Sequence, residues 1–175
     1  MKKSSRGFSL IELLIVVAII LIIAAIAIPN LLRSRIAANQ ASAVGSLRTL
    51  NTAEVTYATT YNTGYSATLG DLGPNATGQN PVATAAGLID EVLSGTLGSG
   101  GGSGAQATVS DKSGYQFTYT PAATDSSGRI NTYSITATPI SVGTTGTNFY
   151  YTDQSGVIRQ NSTAVAGSSD SPLAG

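Results

Sequence analysis

Near its N-terminus this 175-residue chain reads Phe8-Ser-Leu-Ile-Glu12-Leu-Leu-Ile-Val-Val-Ala-Ile-Ile-Leu-Ile-Ile-Ala-Ala-Ile-Ala-Ile28. From Leu13 to Ile28 this apolar run contains no polar or charged side chain. As an α-helix it would be about 31 Å long, which is enough to cross the hydrocarbon core of a bilayer. The sequence therefore predicts a membrane-spanning helix over residues 8–28.

Glu12 is the one charged residue inside the run. An unpaired carboxylate in hydrocarbon costs roughly 3 kcal/mol, so an ionisable residue in such a segment indicates a function and requires a partner. The basic residues Lys2, Lys3 and Arg6 precede the run. By the positive-inside rule they keep the N-terminus in the cytoplasm.

A secretory signal peptide and a plain signal anchor are the simplest alternatives. A cleaved secretory signal needs a small-residue cleavage site after its apolar region, and Ala-Ile-Ala27 followed by Ile-Pro-Asn30 is a poor one. A signal anchor explains the apolar run but does not explain why a carboxylate, Glu12, lies within it.

The basic leader Lys2-Lys-Ser-Ser-Arg-Gly7, the following Phe8 and the later Glu12 resemble the class III signal of type IV pilins and pseudopilins. The resemblance is close over residues 1–35. It implies that prepilin peptidase cuts between Gly7 and Phe8 on the cytoplasmic side and that Phe8 becomes an N-methylated terminus. It also implies that Glu12 pairs with the Phe8 terminus of a neighbouring subunit. The two residues lie four apart, so pairing within one helix is an alternative.

The helix is predicted to continue beyond the apolar run as far as Tyr61. Pro29 lacks a helix N–H and crowds the preceding turn, so we expect it to break or bend the helix. Ten residues recur at three- and four-residue spacing: Ile36, Ala37, Gln40, Ala41, Val44, Leu47, Leu50, Glu54, Tyr57 and Tyr61. The pattern predicts an apolar half over residues 8–29 and an amphipathic half over residues 30–61 that packs on a globular region.

Residues 62–161 are predicted to form this globular region, with a loop, a short helix over residues 85–93 and an antiparallel sheet. Residues 115–120, 133–139, 148–152 and 156–160 have strand patterns, and Asp153-Gln-Ser-Gly156 reads as a hairpin turn. The expected fold is α+β: a long N-terminal helix packed on a roughly four-stranded antiparallel sheet, as in pilins. Residues 1–7 form a leader, and residues 162–175 are expected to be a polar, loose tail.

Composition limits the chemistry of the chain. It has no Cys and no His, nine basic and nine acidic residues, and its acids are scattered singly, so no enzymatic activity is expected. Loss of residues 1–7 leaves a formal charge of −3, which disfavours direct binding of nucleic acid. No cofactor is expected. Calcium bound at Asp125 or Asp153 is an alternative to the ordinary turn chemistry of Asp-Ser-Gly segments.

The resemblance implies a structural subunit of a type IV pilus-like filament. This homopolymer would be built by an inner-membrane assembly platform and ATPase from monomers held in membrane lipid. A major pseudopilin of a type II secretion system is an alternative that the lack of Cys favours, whereas the Tyr- and Thr-rich sheet favours a pilin. A single-pass membrane-anchored binding protein is an alternative of another class. The expected location is the bacterial inner membrane, with the globular region outside the cytoplasm, and then a pilus or periplasmic pseudopilus.

Overall fold

The computed structural model describes residues 8–75, 79–95 and 107–173. Within them, helices α1 and α2 span Leu10–Tyr61 and Leu69–Leu72. Five strands follow: β1 Val109–Lys112, β2 Tyr115–Pro121, β3 Tyr133–Pro139, β4 Phe149–Asp153 and β5 Arg159–Asn161. The α+β class, with a long N-terminal helix and an antiparallel sheet, is confirmed. The predicted leader, including Gly7, lies outside the described residues.

Helix α1 is uninterrupted at Pro29, which lies inside it. The expectation that Pro29 breaks the helix is therefore wrong in this structure. The side chain of Asn30 donates a hydrogen bond to the carbonyl oxygen of Ile26 at 3.1 Å, in the turn where the proline lacks a donor. At the other end, Asn62 adopts a left-handed φ of 55°, and its nitrogen bonds to the carbonyl of Ala58, so the predicted end at Tyr61 is confirmed.

Helix α1 contributes to two compact units, which divide between Arg35 and Ile36. In the second unit one face of the helix is buried, and it consists of Ala43, Ser46, Leu47, Leu50, Ala53, Glu54 and Tyr57. Each of these residues has another of them three or four positions away, as expected for one stripe of a helix. Ala37 and Ala41 were expected on this stripe but are exposed.

The sheet is an antiparallel meander in the order β1-β2-β3-β4-β5. In β2 and β3 buried and half-buried residues alternate, because successive side chains point to opposite faces of a strand. Strand β1 was not predicted from the sequence. Lys112 pairs with Tyr115 across the two-residue loop Ser113-Gly114, whose φ values of 51° and 75° are those of a tight hairpin turn.

The buried faces of α1 and of the sheet share one hydrophobic core. Leu47 and Leu50 are fully buried in the same cluster as Phe117 and Ile135. The tyrosines contribute ring contacts: Tyr65 packs edge-on against Tyr133 with ring centroids 4.7 Å apart. Tyr57 at the end of α1 is buried in this core, and Tyr61 and Tyr65 pack against it.

Two expectations for the globular region are wrong. Residues 85–93 form no helix. The chain turns at residues 91–95, while Ile89 and Leu93 are still buried in the core. The tail is not loose over residues 162–173. The nitrogen of Leu173 bonds to the carbonyl of Ile158 at 2.8 Å, and that of Gln160 to Ser171 at 3.0 Å. The tail thus covers the backbone of β5, which would otherwise be an open sheet edge.

Candidate functional site

The first unit presents an apolar surface on all sides of α1. From Phe8 to Leu32 every large hydrophobic side chain is between 45% and 79% exposed. By length and composition this is a helix that could cross a membrane. An apolar surface of this extent is far larger than water-soluble monomers normally expose, so it requires lipid or protein around it.

Glu12 lies in the first turn of α1, where its carboxylate has a partner that the sequence analysis did not foresee. Its Oε2 accepts a hydrogen bond from the backbone nitrogen of Ser9 at 2.9 Å. Ser9 is the residue before the helix, and its carbonyl accepts the bond from Leu13 at 3.2 Å. The carboxylate therefore accepts a hydrogen bond from one of the free N–H groups at the helix start. Its negative charge is also attracted by the positive end of the helix dipole.

Phe8 is the first described residue and is 79% exposed. In the uncleaved chain its nitrogen belongs to a peptide bond, so it carries no positive charge. Cleavage before Phe8 would create an amino terminus four residues from Glu12. The structure thus brings Phe8 and Glu12 to the same end of α1.

A second carboxylate, Glu54, is fully buried in the other unit. Its Oε2 accepts from the backbone nitrogen of Ser66 at 3.0 Å, and its Oε1 accepts from the Ser66 hydroxyl at 2.7 Å. The hydroxyl of Tyr119 donates to the carbonyl of Ser66 at 2.7 Å and lies 3.3 Å from the Ser66 hydroxyl oxygen. Helix α1, the segment after it and strand β2 are thereby joined by polar groups inside the core.

Burial dominates the electrostatics of this cluster. It raises the pKa of Glu54 from 4.5 to about 6, against the opposing effect of the two hydrogen bonds from Ser66. It also raises the pKa of Tyr119 far above its ordinary value, so this hydroxyl stays a donor. The position of Glu54 on the apolar stripe signalled a buried carboxylate, but its spacing in the sequence did not identify Ser66 or Tyr119 as partners.

Both calcium candidates lie in turns that already use their carboxylates. Asp125 accepts bonds from the backbone nitrogens of Ser127 and Arg129, at 2.8 and 3.0 Å. Asp153 accepts from the nitrogen of Ser155 at 2.9 Å. Among the described residues no group of three or more His, Cys, Asp or Glu side chains could hold a metal ion.

The comparisons with known proteins concern the N-terminal segment. Residues 2–28 match the family model described as "Prokaryotic N-terminal methylation motif". Over 53 residues the chain is 51% identical to the type IV major pilin protein PilA of Myxococcus xanthus, covering 30% of this chain and 24% of that protein. Over 37 residues it is 62% identical to the type IV wide pilus major component PilA4 of Thermus thermophilus, covering 21% of this chain and 28% of that protein.

The chain thus spans about a quarter of the length of each of these curated relatives. No solved structure matches it. The matched residues include Gly7, Phe8 and Glu12, and helix α1 begins among them, at Leu10. By this N-terminal segment the chain is similar to type IV pilins.

Proposed function

We propose that this protein is the structural subunit of a type IV pilus-like filament. Prepilin peptidase cuts it between Gly7 and Phe8, and the new Phe8 terminus is N-methylated. The single observation that carries the proposal is the exposed apolar half of α1, which begins within this motif and bears one carboxylate, Glu12. The two relatives of known name are pilus components, which supports the same assignment.

The apolar half of α1 suits two environments in succession. Before assembly it lies in the inner membrane, with the leader in the cytoplasm and residues 36–173 outside it. In the filament, the same side chains pack against helices of other copies. Since lipid and the apolar surfaces of other helices have similar polarity, the transfer changes the hydrophobic free energy little. An assembly platform and its ATPase supply the work and the direction of growth.

Glu12 determines the position along the filament axis at which the helix of an incoming copy packs against its neighbours. Apolar helix faces slide past one another with little penalty, whereas a buried charge must meet its partner at one position. The Phe8 amino terminus of an incoming copy is a cation that exists only after cleavage. Ser9 holds Glu12 at the start of the helix through one oxygen, Oε2. A carboxylate has acceptor capacity on both oxygens, so Glu12 can accept a second partner without giving up Ser9.

The experiment is to recover the mature protein from membranes and from sheared filaments and to determine its N-terminus by mass spectrometry. We expect a chain that begins at Phe8 and carries one added methyl group in both fractions. A chain that retains Met1 in both fractions contradicts the proposal and favours a membrane-anchored binding protein. Filaments confined to the periplasm, together with a secretion defect on gene deletion, would instead assign a pseudopilin.

A further inference from the structure

Glu54 carries an uncompensated charge when it is ionised. Its side chain has no solvent exposure, and no Lys or Arg in the described part of the chain lies within 4 Å of its oxygens. The titratable groups that face it are Tyr57 on α1, Asp71 on α2, Tyr119 on β2 and Tyr133 on β3. None of them is a cation, and Asp71 repels a second negative charge.

The hydrogen bonds around Glu54 can be satisfied in both of its protonation states. When Glu54 is ionised, the Ser66 hydroxyl donates to Oε1 at 2.7 Å. When Glu54 is protonated, its own O–H can donate across that same separation to the Ser66 oxygen. The Ser66 hydroxyl then turns to the oxygen of Tyr119, 3.3 Å away, and Tyr119 still donates to the Ser66 carbonyl. Protonation therefore leaves no donor without an acceptor.

The cluster also lies at a structural junction. Ser66 belongs to the segment between α1 and α2, and the preceding Tyr65 bonds through its nitrogen to the carbonyl of Ile130 at 2.8 Å. Tyr119 is buried in the centre of β2. A change in the strength of the Glu54 contacts therefore changes how firmly the end of α1 is held to the sheet.

We propose that Glu54, Ser66 and Tyr119 form an acid-strengthened latch, which holds the end of α1 to the sheet more firmly when Glu54 is protonated. Neutralisation removes a buried charge that has no counter-ion while every hydrogen bond is kept. The globular unit then resists opening better in mildly acidic surroundings than at neutral pH. The proposal concerns this unit alone and does not rest on filament formation.

The direction of the pH effect follows from linkage. The pKa of Glu54 is about 6 in the folded chain against an ordinary value of 4.5, so the folded state binds more protons in this interval. The contribution of Glu54 to stability is therefore greatest below about pH 4.5 and is lost as the pH rises through 6. The aspartates with shifted pKa values, Asp90, Asp125 and Asp153, are lowered from 3.8 and act at more acidic pH. The chain also has no His to titrate between these ranges.

The test compares urea unfolding of the full chain in detergent at about pH 5 and pH 7, followed by near-ultraviolet circular dichroism of its tyrosines. For the native chain we expect a higher urea midpoint at the lower pH. Glu54→Gln keeps the shape and both acceptor and donor capacity but cannot ionise. We expect the midpoint of this variant to be the same at both pH values and to match the native chain at the acidic one.

Glu91→Gln is the matched control, because Glu91 is an exposed glutamate of the same unit and its replacement should leave the pH effect intact. A second measurement requires no variant to fold. The chain contains three glutamates, Glu12, Glu54 and Glu91, so a sample labelled only at the glutamate side-chain carboxyl carbons gives three titration curves by NMR. One curve should have its midpoint near 6. Two results would overturn the proposal. One is a change of urea midpoint with pH in Glu54→Gln that is as large as in the native chain. The other is a set of three glutamate titration curves whose midpoints all lie near the ordinary value.

Discussion

Ser66 donates two hydrogen bonds to the buried carboxylate of Glu54, one from its backbone nitrogen at 3.0 Å and one from its hydroxyl at 2.7 Å. Both bonds lower the pKa of Glu54, while burial raises it by more. The serine therefore does two things at once: it holds the chain after α1 against the helix, and it reduces the cost of burying a charge.

Replacing Ser66 with Ala should lower the free energy of unfolding by about 1–3 kcal/mol near neutral pH, because a buried carboxylate loses a donor. The pKa of Glu54 should rise further, so the loss of stability should be smaller in acid. Urea denaturation at two pH values measures both effects. Thr56→Ala is the control, since the Thr56 side chain is exposed and bonds only to the carbonyl of Thr52 in its own helix. Equal effects of the two variants would contradict the assigned role of Ser66.

Replacing Glu12 separates charge from helix capping. Glu12→Gln keeps an oxygen that can accept the Ser9 N–H but removes the charge, whereas Glu12→Leu removes both. We expect both variants to reach the membrane fraction in normal amounts and both to yield few filaments by electron microscopy. Leu13→Ile is the control and should assemble normally, because it conserves volume and polarity. Full filament yield from Glu12→Gln would show that assembly does not need the charge.

Two glycines in turns should respond differently to the same substitution. Gly114 and Gly128 both have left-handed φ values, of 75° and 77°, so alanine strains each of them. A Cβ at Gly114 would also approach Asn39 Nδ2 and Thr145 Cβ to 2.9 Å, whereas at Gly128 it meets nothing within 4 Å. Gly114→Ala should therefore lower the unfolding midpoint clearly more than Gly128→Ala does. Thermal denaturation of the two variants side by side would test this, and equal losses would count against crowding at the β1–β2 turn.

Chelation should leave the melting temperature unchanged. Asp125 and Asp153 each accept hydrogen bonds from backbone nitrogens of their own turns through a carboxylate oxygen. These bonds stabilise the turns without a cation. The measurement is a thermal melt with excess EDTA and then with added Ca²⁺. The double variant Asp125→Asn and Asp153→Asn serves as reference. A rise in melting temperature with Ca²⁺ that this double variant lacks would assign calcium to these turns after all.

Local patterns predicted most of the secondary structure. The helix end at Tyr61 follows from the turn residues Asn62 and Gly64. The strands around Phe117 and Ile135 follow from the alternation of apolar and polar residues in the sequence. Strand β1 was missed because its four residues have no clear alternation. The pair Ser113-Gly114 before a strand was the signal that could have identified it.

Interactions between distant segments explain why the predictions for the tail and for residues 85–93 were wrong. The tail looks loose in the sequence because it is polar, yet Asp170 accepts bonds from Asn161 and Gly167 at 3.0 and 2.8 Å. The backbone groups of Ser171 and Leu173 also bond to Gln160 and Ile158 at the edge of β5. Residues 85–93 have helical spacing, but the nitrogens of Leu88 and Ile89 bond to the carbonyl of Leu72 instead. Backbone groups that find partners elsewhere in the fold override a weak local preference.

The amino-acid sequence by itself determined the apolar helix, the N-terminal methylation motif around Gly7 and Phe8, and the single carboxylate of the apolar run at Glu12, because polarity and short spacing are local properties of the chain. Only the tertiary structure decided the surroundings of a second carboxylate, Glu54, which is buried. Glu54 is separated from Tyr119 by most of the globular region, and the burial that raises its pKa exists only after α1 has packed on the sheet. Its partners were therefore chosen by packing, which no local pattern records.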